Sequence, residues 1–339
     1  MKALSANRQA DSPHPFGSGC TNLAATRLGA RVIHVSDEFF AECRRMLDPQ
    51  PPLFQADRFD DHGKWMDGWE TRRRRRPGYE HSIVRLGRAG VIRGVNLCTR
   101  HFTGNYPPSA SIDACLIDGD PDQETEWSSL LPAIDLQGDA DNLFEVRSER
   151  VWSHLRLNIY PDGGIARLRV FGEIHKDWSK VPPDVPVDLA ALENGGRALC
   201  CNDAHFGAME NLILPGAALN MGDGWETRRR RQPGHDWVIL ALGHPGRIVR
   251  VEVDTSHFKG NYPDRCSLQA AAVAAGGPAV IAAQSLYWEE LLGEQRLKAD
   301  RLHCFDRQIS DLGTVSHVRF CIHPDGGVAR LRLWGLIAG

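Results

Sequence analysis

The octapeptide GWETRRRR occurs twice, at Gly68–Arg75 and at Gly224–Arg231, and the repetition is not local. Sliding the chain by 156 residues lays Gly68–Pro107 on Gly224–Pro263, and 23 of those 40 positions are identical. HLRLNIYPDGGIARLRVFG (His154–Gly172) answers HVRFCIHPDGGVARLRLWG (His317–Gly335), and SDEFFAECRRML (Ser36–Leu47) answers NDAHFGAMENLI (Asn202–Ile213). Trp127 has its counterpart in Trp288. A period of about 150 residues is too long for a solenoid and suits a domain. The chain is therefore read as a duplicated domain, and its 339 residues are enough for two full cores.

Within each unit the apolar period is mostly two. RLRV and RLRL alternate charge with aliphatic side chains, as half-buried strands do, and VIRGVNLCT and RIVRVEVDT are further strands. HLRLNIYPDGGIARLRVFG reads as two strands joined in a hairpin by an Asp-Gly turn. Helix is expected only at Asp37–Leu47, at Asp203–Ile213 and for a turn or two around Trp127 and Trp288. The pattern predicts a mainly β protein of two tandem β-sandwiches with few short helices. The expected organisation is a flexible tail over 1–20, a first sandwich over 21–178, a proline-rich linker over 179–194 around KVPPDVPV, and a second sandwich over 195–339.

The charge balance, 40 Lys+Arg against 43 Asp+Glu, gives no global field that would gather nucleic acid or an anionic membrane. The arginine runs are flanked by Asp60, Asp61, Asp67 and Glu70, with no aromatic residues interleaved for base stacking. They read as a segment whose guanidinium groups alternate between solvent and internal ion pairs, one or two of them pointing into a site that grips a carboxylate or ureido oxygen. No apolar run is long enough to span a bilayer, and no export signal stands at the N-terminus. The nine cysteines lack C-x-x-C spacing, which indicates neither a disulfide framework nor a zinc knuckle and suits a reducing cytoplasm. No metal, phosphate-loop or dinucleotide motif occurs, so a divalent cation such as Mn²⁺ has no motif behind it.

The repeated polar residues are the candidate site. HF-x-GNYP supplies His101 and Asn105 in one copy and His257 and Asn261 in the other. Histidine moves protons near neutral pH, although a histidine in a turn also serves simply to hydrogen-bond that turn. Glu70 and Glu226 read either as ion-pair partners of the arginines or as proton-transfer groups. Asp254 stands three residues before His257, whereas the first copy has Cys98 there, and Asn96 where the second has Glu252. The copies are thus not chemically equivalent.

KWMDGWETRRRR (Lys64–Arg75), MGDGWETRRRRQPGHDWVILALG (Met221–Gly243) and VEVDTSHFKGNYPDRCSLQA (Val251–Ala270) resemble the allantoicase family, and the resemblance runs from about Leu23 to Leu336 with the duplication included. It implies jelly-roll sandwiches of the galactose-binding-like type, a homo-oligomer, and hydrolysis of allantoate to ureidoglycolate and urea in purine degradation. For such a substrate a bidentate arginine would hold the carboxylate, His or Glu would supply a proton, and Asn would fix the ureido carbonyls. On that basis His257, Glu226 and Asp254 are the candidate catalytic groups. Arg228, Asn261, Glu70, Arg72, His101 and Asn105 are the candidate substrate-binding groups. The absence of an acid at Cys98 puts a site in the first copy in doubt. Two alternatives stand beside this reading: an enzyme acting on a related ureido acid, and a non-catalytic sugar- or small-molecule-binding pair of sandwiches.

Overall fold

The computed structural model describes residue 16, residues 20–274 and residues 276–338. The tail expected over 1–20 therefore lies, but for Phe16 and Cys20, outside the described residues. The chain divides into two compact units between His175 and Lys176, and each is a jelly-roll β-sandwich.

The spine of the first unit is the 19-residue strand Glu80–Cys98. Its first half pairs with Arg31–Val35 on one side and Val151–Tyr160 on the other. Its second half pairs with Arg167–Ile174 and Asp141–Glu145. Val151–Tyr160 carries one layer on to Ser109–Cys115 and Ser128–Asp135, and Arg167–Ile174 carries the other to Thr21–Asn22. A strand that exchanges partners midway belongs to both layers. Its burial alternates from Glu80 to Leu86, lapses over the next three residues, and alternates again beyond Gly90. The lapse falls where the chain passes from one layer to the other. Val84, Val95, Leu97, Ile112, Leu155, Leu157, Leu168 and Val170 fill the space between the layers around Trp69.

The second unit repeats this plan on Asp236–Asp254, which pairs with Arg197–Cys201 and Val315–His323 and then with Arg330–Ile337 and Leu302–Phe305. Trp225 stands in its core where Trp69 stands in the first.

Four sequence expectations are corrected. The runs expected as helices from Asp37 and Asp203 contain only the 3-10 turns Cys43–Leu47 and Met209–Ile213. The reason is that the preceding backbone is held extended: Ala41 bridges Glu70, and Gly207 bridges Glu226. Trp127 lies in an irregular segment, while a short helix, Pro278–Gln284, followed by the turn Ser285–Tyr287, precedes Trp288. The two strands flanking the Asp-Gly turn do not pair with each other; both pair with the long strand. The linker expected over 179–194 gives up its last part to the second unit. Val187–Asp188 pairs with the strand Arg330–Ile337, Asp188 accepts hydrogen bonds from the amides of Leu333 (2.9 Å) and Ala190 (3.2 Å), and Leu189 and Ala190 are core residues.

Candidate active site

In each unit the GWETRRRR segment begins as a short strand paired beside the Pro-Asp-Gly-Gly turn, and six of its eight residues have a partner that explains them. A Cβ at Gly68 would sit 2.6 Å from the carbonyl oxygen of Ile165, so only glycine lets the strand Trp69–Glu70 lie against Gly164–Ile165. Trp69 fills the core and its indole N–H donates to the Asp37 carbonyl at 2.8 Å; Trp225 donates to the Asp203 carbonyl at the same distance. The Thr71 hydroxyl accepts from the Gly163 amide at 3.1 Å, and Thr227 does the same with Gly326. The Pro-Asp-Gly-Gly turn is therefore a dock for the arginine segment rather than the tip of a hairpin.

The arginines alternate. Arg72 pairs with Asp37 (2.6 Å) and Arg228 with Asp203 (2.8 Å). Arg74 pairs with Glu80 and Arg230 with Asp236, while their amides donate to Asp162 and Asp325. Arg73, Arg75, Arg229 and Arg231 face solvent. Burial acts to raise the carboxyls of Asp37 and Asp203, but hydrogen bonds from Arg72 and Arg228 hold both below the ordinary aspartate range. Stabilisation from a depressed carboxyl is complete above the unfolded value of 3.8 and is lost as pH falls through the lower folded value. Asp37→Asn is thus expected to unfold at lower denaturant than wild type at pH 7, with the gap closing in acid below the folded value. A gap that does not change with pH would contradict this.

Glu70 and Glu226 point away from the arginines. The Asn105 side-chain amide donates to Glu70 Oε1 at 2.7 Å, and Asn261 donates to Glu226 Oε1 at 2.5 Å. Burial pushes the Glu70 carboxyl above the usual glutamate range; the Asn105 hydrogen bond opposes this and the nearby Asp60 adds to it. The loop that carries the asparagine is locked beneath the site. The carbonyl of Asn105 accepts from the Gly164 amide at 2.7 Å and that of Asn261 from Gly327 at 2.8 Å. A Cβ at Gly164 would meet the Phe102 ring at 2.0 Å, and one at Gly327 would meet the Phe258 ring at 1.9 Å.

The same loop presents the histidine. His101 and His257 hold left-handed backbone, φ 71° and 72°, which costs energy in a residue with a Cβ. Asp139 and Asp300 secure the bend by accepting from the two histidine amides at 2.8 and 2.7 Å. Each ring sets Nε2 against a carbonyl, Pro52 at 3.1 Å or Ala218 at 3.0 Å. A carbonyl only accepts, so Nε2 carries a proton and donates it, and in the neutral ring Nδ1 is then the acceptor nitrogen.

The sequence-derived residues thus separate into two sets. Glu70 with Asn105, and Glu226 with Asn261, are in contact, and His101 and His257 stand in the same loops. Arg72 and Arg228 are committed to Asp37 and Asp203. Asp254 turns back on its own loop, accepting from the Ser256 amide (2.8 Å) and hydroxyl (2.6 Å). Cys98 in the first copy therefore removes nothing from the Glu–Asn contact. Among the described residues no three His, Cys, Asp or Glu side chains are grouped to hold a metal ion, and no helix is long and apolar enough to cross a membrane.

Sequence reasoning missed Arg167 and Arg330. Both are buried, although their strands read as alternating charge. Arg167 binds Asp67 at 2.7 Å and the carbonyls of Gln50, Asp67 and Ala166; Arg330 binds Asp223 at 2.9 Å and the carbonyls of Gly216, Asp223 and Ala329. They pin the loop whose carbonyl orients the histidine. The repeated A-R-L-R gave no signal for them: alternation puts both arginines of each strand on the face opposite the core leucine, and it is the loops carrying Gln50 and Asp67, or Gly216 and Asp223, that bury the first of them.

The allantoicase repeat family matches residues 21–175 and again residues 187–338. A protein named "Probable allantoicase" from Pseudomonas aeruginosa strain UCBPP-PA14 is 58% identical over 315 residues, covering 93% of this chain and 95% of that protein. "Probable allantoicase 2" of Burkholderia pseudomallei strain K96243 is 57% identical over 318 residues, covering 94% and 95%. The crystal structure of allantoicase from Saccharomyces cerevisiae is 33% identical, with a TM-score of 0.76 over 94% of this chain and 93% of that one. The match in both halves, the identity and the shared architecture agree: this chain belongs to the allantoicase family.

Proposed function

We propose that this chain hydrolyses allantoate to ureidoglycolate and urea, and that the glutamate–asparagine–histidine clusters carry the reaction. Family membership supports the substrate. The observation that carries the site is the pairing of a carboxylate with an amide, Glu70–Asn105 and Glu226–Asn261, built twice beside a histidine in strained backbone.

Allantoate bears two ureido groups, a hydrogen and a carboxylate on one carbon. In the reaction the bond from that carbon to one ureido nitrogen breaks, and the nitrogen takes a proton and departs as urea. A water oxygen bonds to the carbon and gives up a proton, leaving the hydroxyl of ureidoglycolate. A carboxyl held above its usual range keeps its proton to higher pH, which suits Glu70 to protonate the leaving nitrogen. The resulting carboxylate can take the proton from water. The Nδ1 acceptors of His101 and His257 provide a second proton-transfer group, and Asn105 and Asn261 orient both the carboxylate and a ureido group. Arg72 and Arg228 act at one remove, holding the segment on which the glutamate stands, and Asp254 shapes the histidine loop.

Association into a homo-oligomer belongs to the same reading; the edge strand Ser128–Asp135, paired within its sheet on one side only, supports it. So does a cytoplasmic location, which suits nine cysteines without disulfide-framework spacing. Comparing urea release from allantoate and from ureidoglycolate tests the substrate. Preference for allantoate is expected, and preference for ureidoglycolate would point to the related ureido acid enzyme instead.

A further inference from the structure

The two clusters differ in what lies beside them. Thirteen positions separate Pro52, the anchor of the His101 ring, from Trp65, whereas three separate Ala218 from Met221. The next residues still correspond, since the amides of Leu53 and Leu219 donate to the equivalent aspartates Asp67 and Asp223. Ten residues, 55–64, therefore have no counterpart in the second repeat.

They form a hairpin in which Phe59 pairs with Lys64 and Asp60 with Gly63. The Trp65 amide closes it by donating to the Arg58 carbonyl at 3.1 Å, and the Arg58 guanidinium lies 4.0 Å over the Trp65 ring. The hairpin touches both flanks of the Glu70 cluster. On one side the His62 ring lies 4.4 Å from the Phe39 ring, which itself packs against Arg72. On the other the Lys64 ammonium lies 4.7 Å from the Phe54 ring, and Phe54 stacks on His101 at 5.5 Å. Asp60, on the same hairpin, acts on the charge of Glu70.

Charge separates the repeats further. A ureido acid brings a carboxylate, and Arg72, Arg74 and Arg167 are already neutralised by Asp37, Glu80 and Asp67. Among the described residues no carboxylate pairs with Lys64, whose Nζ donates to the Ala56 carbonyl at 3.1 Å and lies over the rings of Phe54 and Phe59. In the second repeat a thioether lies against the asparagine, with Met221 Sδ 3.9 Å from Asn261 Nδ2, and the nearest lysine in sequence, Lys259, stands on the histidine loop itself rather than on a hairpin over it.

We propose that the hairpin over residues 55–64 makes the two sites unequal, with Lys64 holding the substrate carboxylate over the Glu70–Asn105 cluster, so that ureido acids bind in the first repeat. The inference rests on the allantoate reading above. Its test uses hydantoate, a ureido acid with one ureido group, and its neutral amide, titrated calorimetrically into the full chain. Wild type is expected to bind one hydantoate per chain, more weakly as salt rises. Lys64→Met, an exposed position, should weaken hydantoate about tenfold or more, leave the amide unchanged and abolish the salt dependence, with Lys64→Arg restoring part of it. Joining Phe54 directly to Trp65 should reproduce the loss. Two equal sites per chain, no binding, or Lys64→Met and deletion variants that bind hydantoate like wild type would each overturn the proposal. Wild type that binds hydantoate as expected yet releases no urea from allantoate would uphold the site and overturn the hydrolytic reading alone.

Discussion

Glu70→Gln should lower kcat by about a hundred- to ten-thousand-fold, the range expected when a positioned proton-transfer group is removed. Glutamine keeps the shape and can still meet Asn105, so the fold and the loop behind it should survive; what it cannot do is exchange a proton. The pH profile separates this role from a structural one. If Glu70 donates the proton, the rate is sustained below its folded pKa and falls as pH rises through it. Because burial and Asp60 raise that pKa, the falling limb lies above the usual glutamate range. The limb should vanish in Glu70→Gln and move toward lower pH in Asp60→Asn. Glu226→Gln measures the share of the second repeat, and the larger loss is expected at Glu70. A folded Glu70→Gln protein with near wild-type kcat would remove Glu70 from the chemistry.

Arg330→Met should destabilise the protein by about 3–5 kcal/mol, because it removes the guanidinium from a buried carboxylate. The Asp223 and Arg330 side chains are 10% and 3% exposed, and the guanidinium also satisfies the carbonyls of Gly216 and Ala329. Methionine fills the space but takes the guanidinium from the Asp223 carboxylate and the Ala329 carbonyl, while the Gly216 carbonyl keeps Arg332 and the carboxylate keeps the Leu219 amide. Asp223→Asn in the same background should recover part of the loss, since an amide without a guanidinium beside it costs less to bury than a carboxylate without one. Denaturant midpoints with unchanged slopes would report both effects. A single variant as stable as wild type would show that the pair is ornamental and that the loop carrying Ala218 is held by other contacts. The equivalent pair, Arg167–Asp67, should behave alike.

The duplication, the two sandwiches and the candidacy of Glu70, Asn105, Glu226 and Asn261 could be read from the chain, because each is written twice and because period-two patterning reports a half-buried strand whatever its partner; that each glutamate meets its asparagine could not, since 35 residues separate them. Nor could strand pairing. The strands around the Asp-Gly turn look like a hairpin locally, yet each finds a better ladder on Glu80–Cys98, and only the whole sheet decides that. The helices expected from Asp37 and Asp203 failed for a similar reason, since the backbone bridges from Ala41 to Glu70 and from Gly207 to Glu226 outweigh local propensity. Arg72 and Arg228 looked available for a substrate carboxylate because their counter-ions, Asp37 and Asp203, lie 35 and 25 residues away along the chain. Asp254 looked poised beside His257 in sequence, but its Oδ1 accepts from both the amide and the hydroxyl of Ser256. Neighbours in sequence are not neighbours in charge.

Following purified protein and allantoate by proton-decoupled ¹³C NMR decides whether the chain hydrolyses allantoate. One urea and one ureidoglycolate are expected for each allantoate consumed, with no ammonia in step with turnover. Ammonia as the first product, or unchanged allantoate in the presence of folded protein, would contradict that expectation.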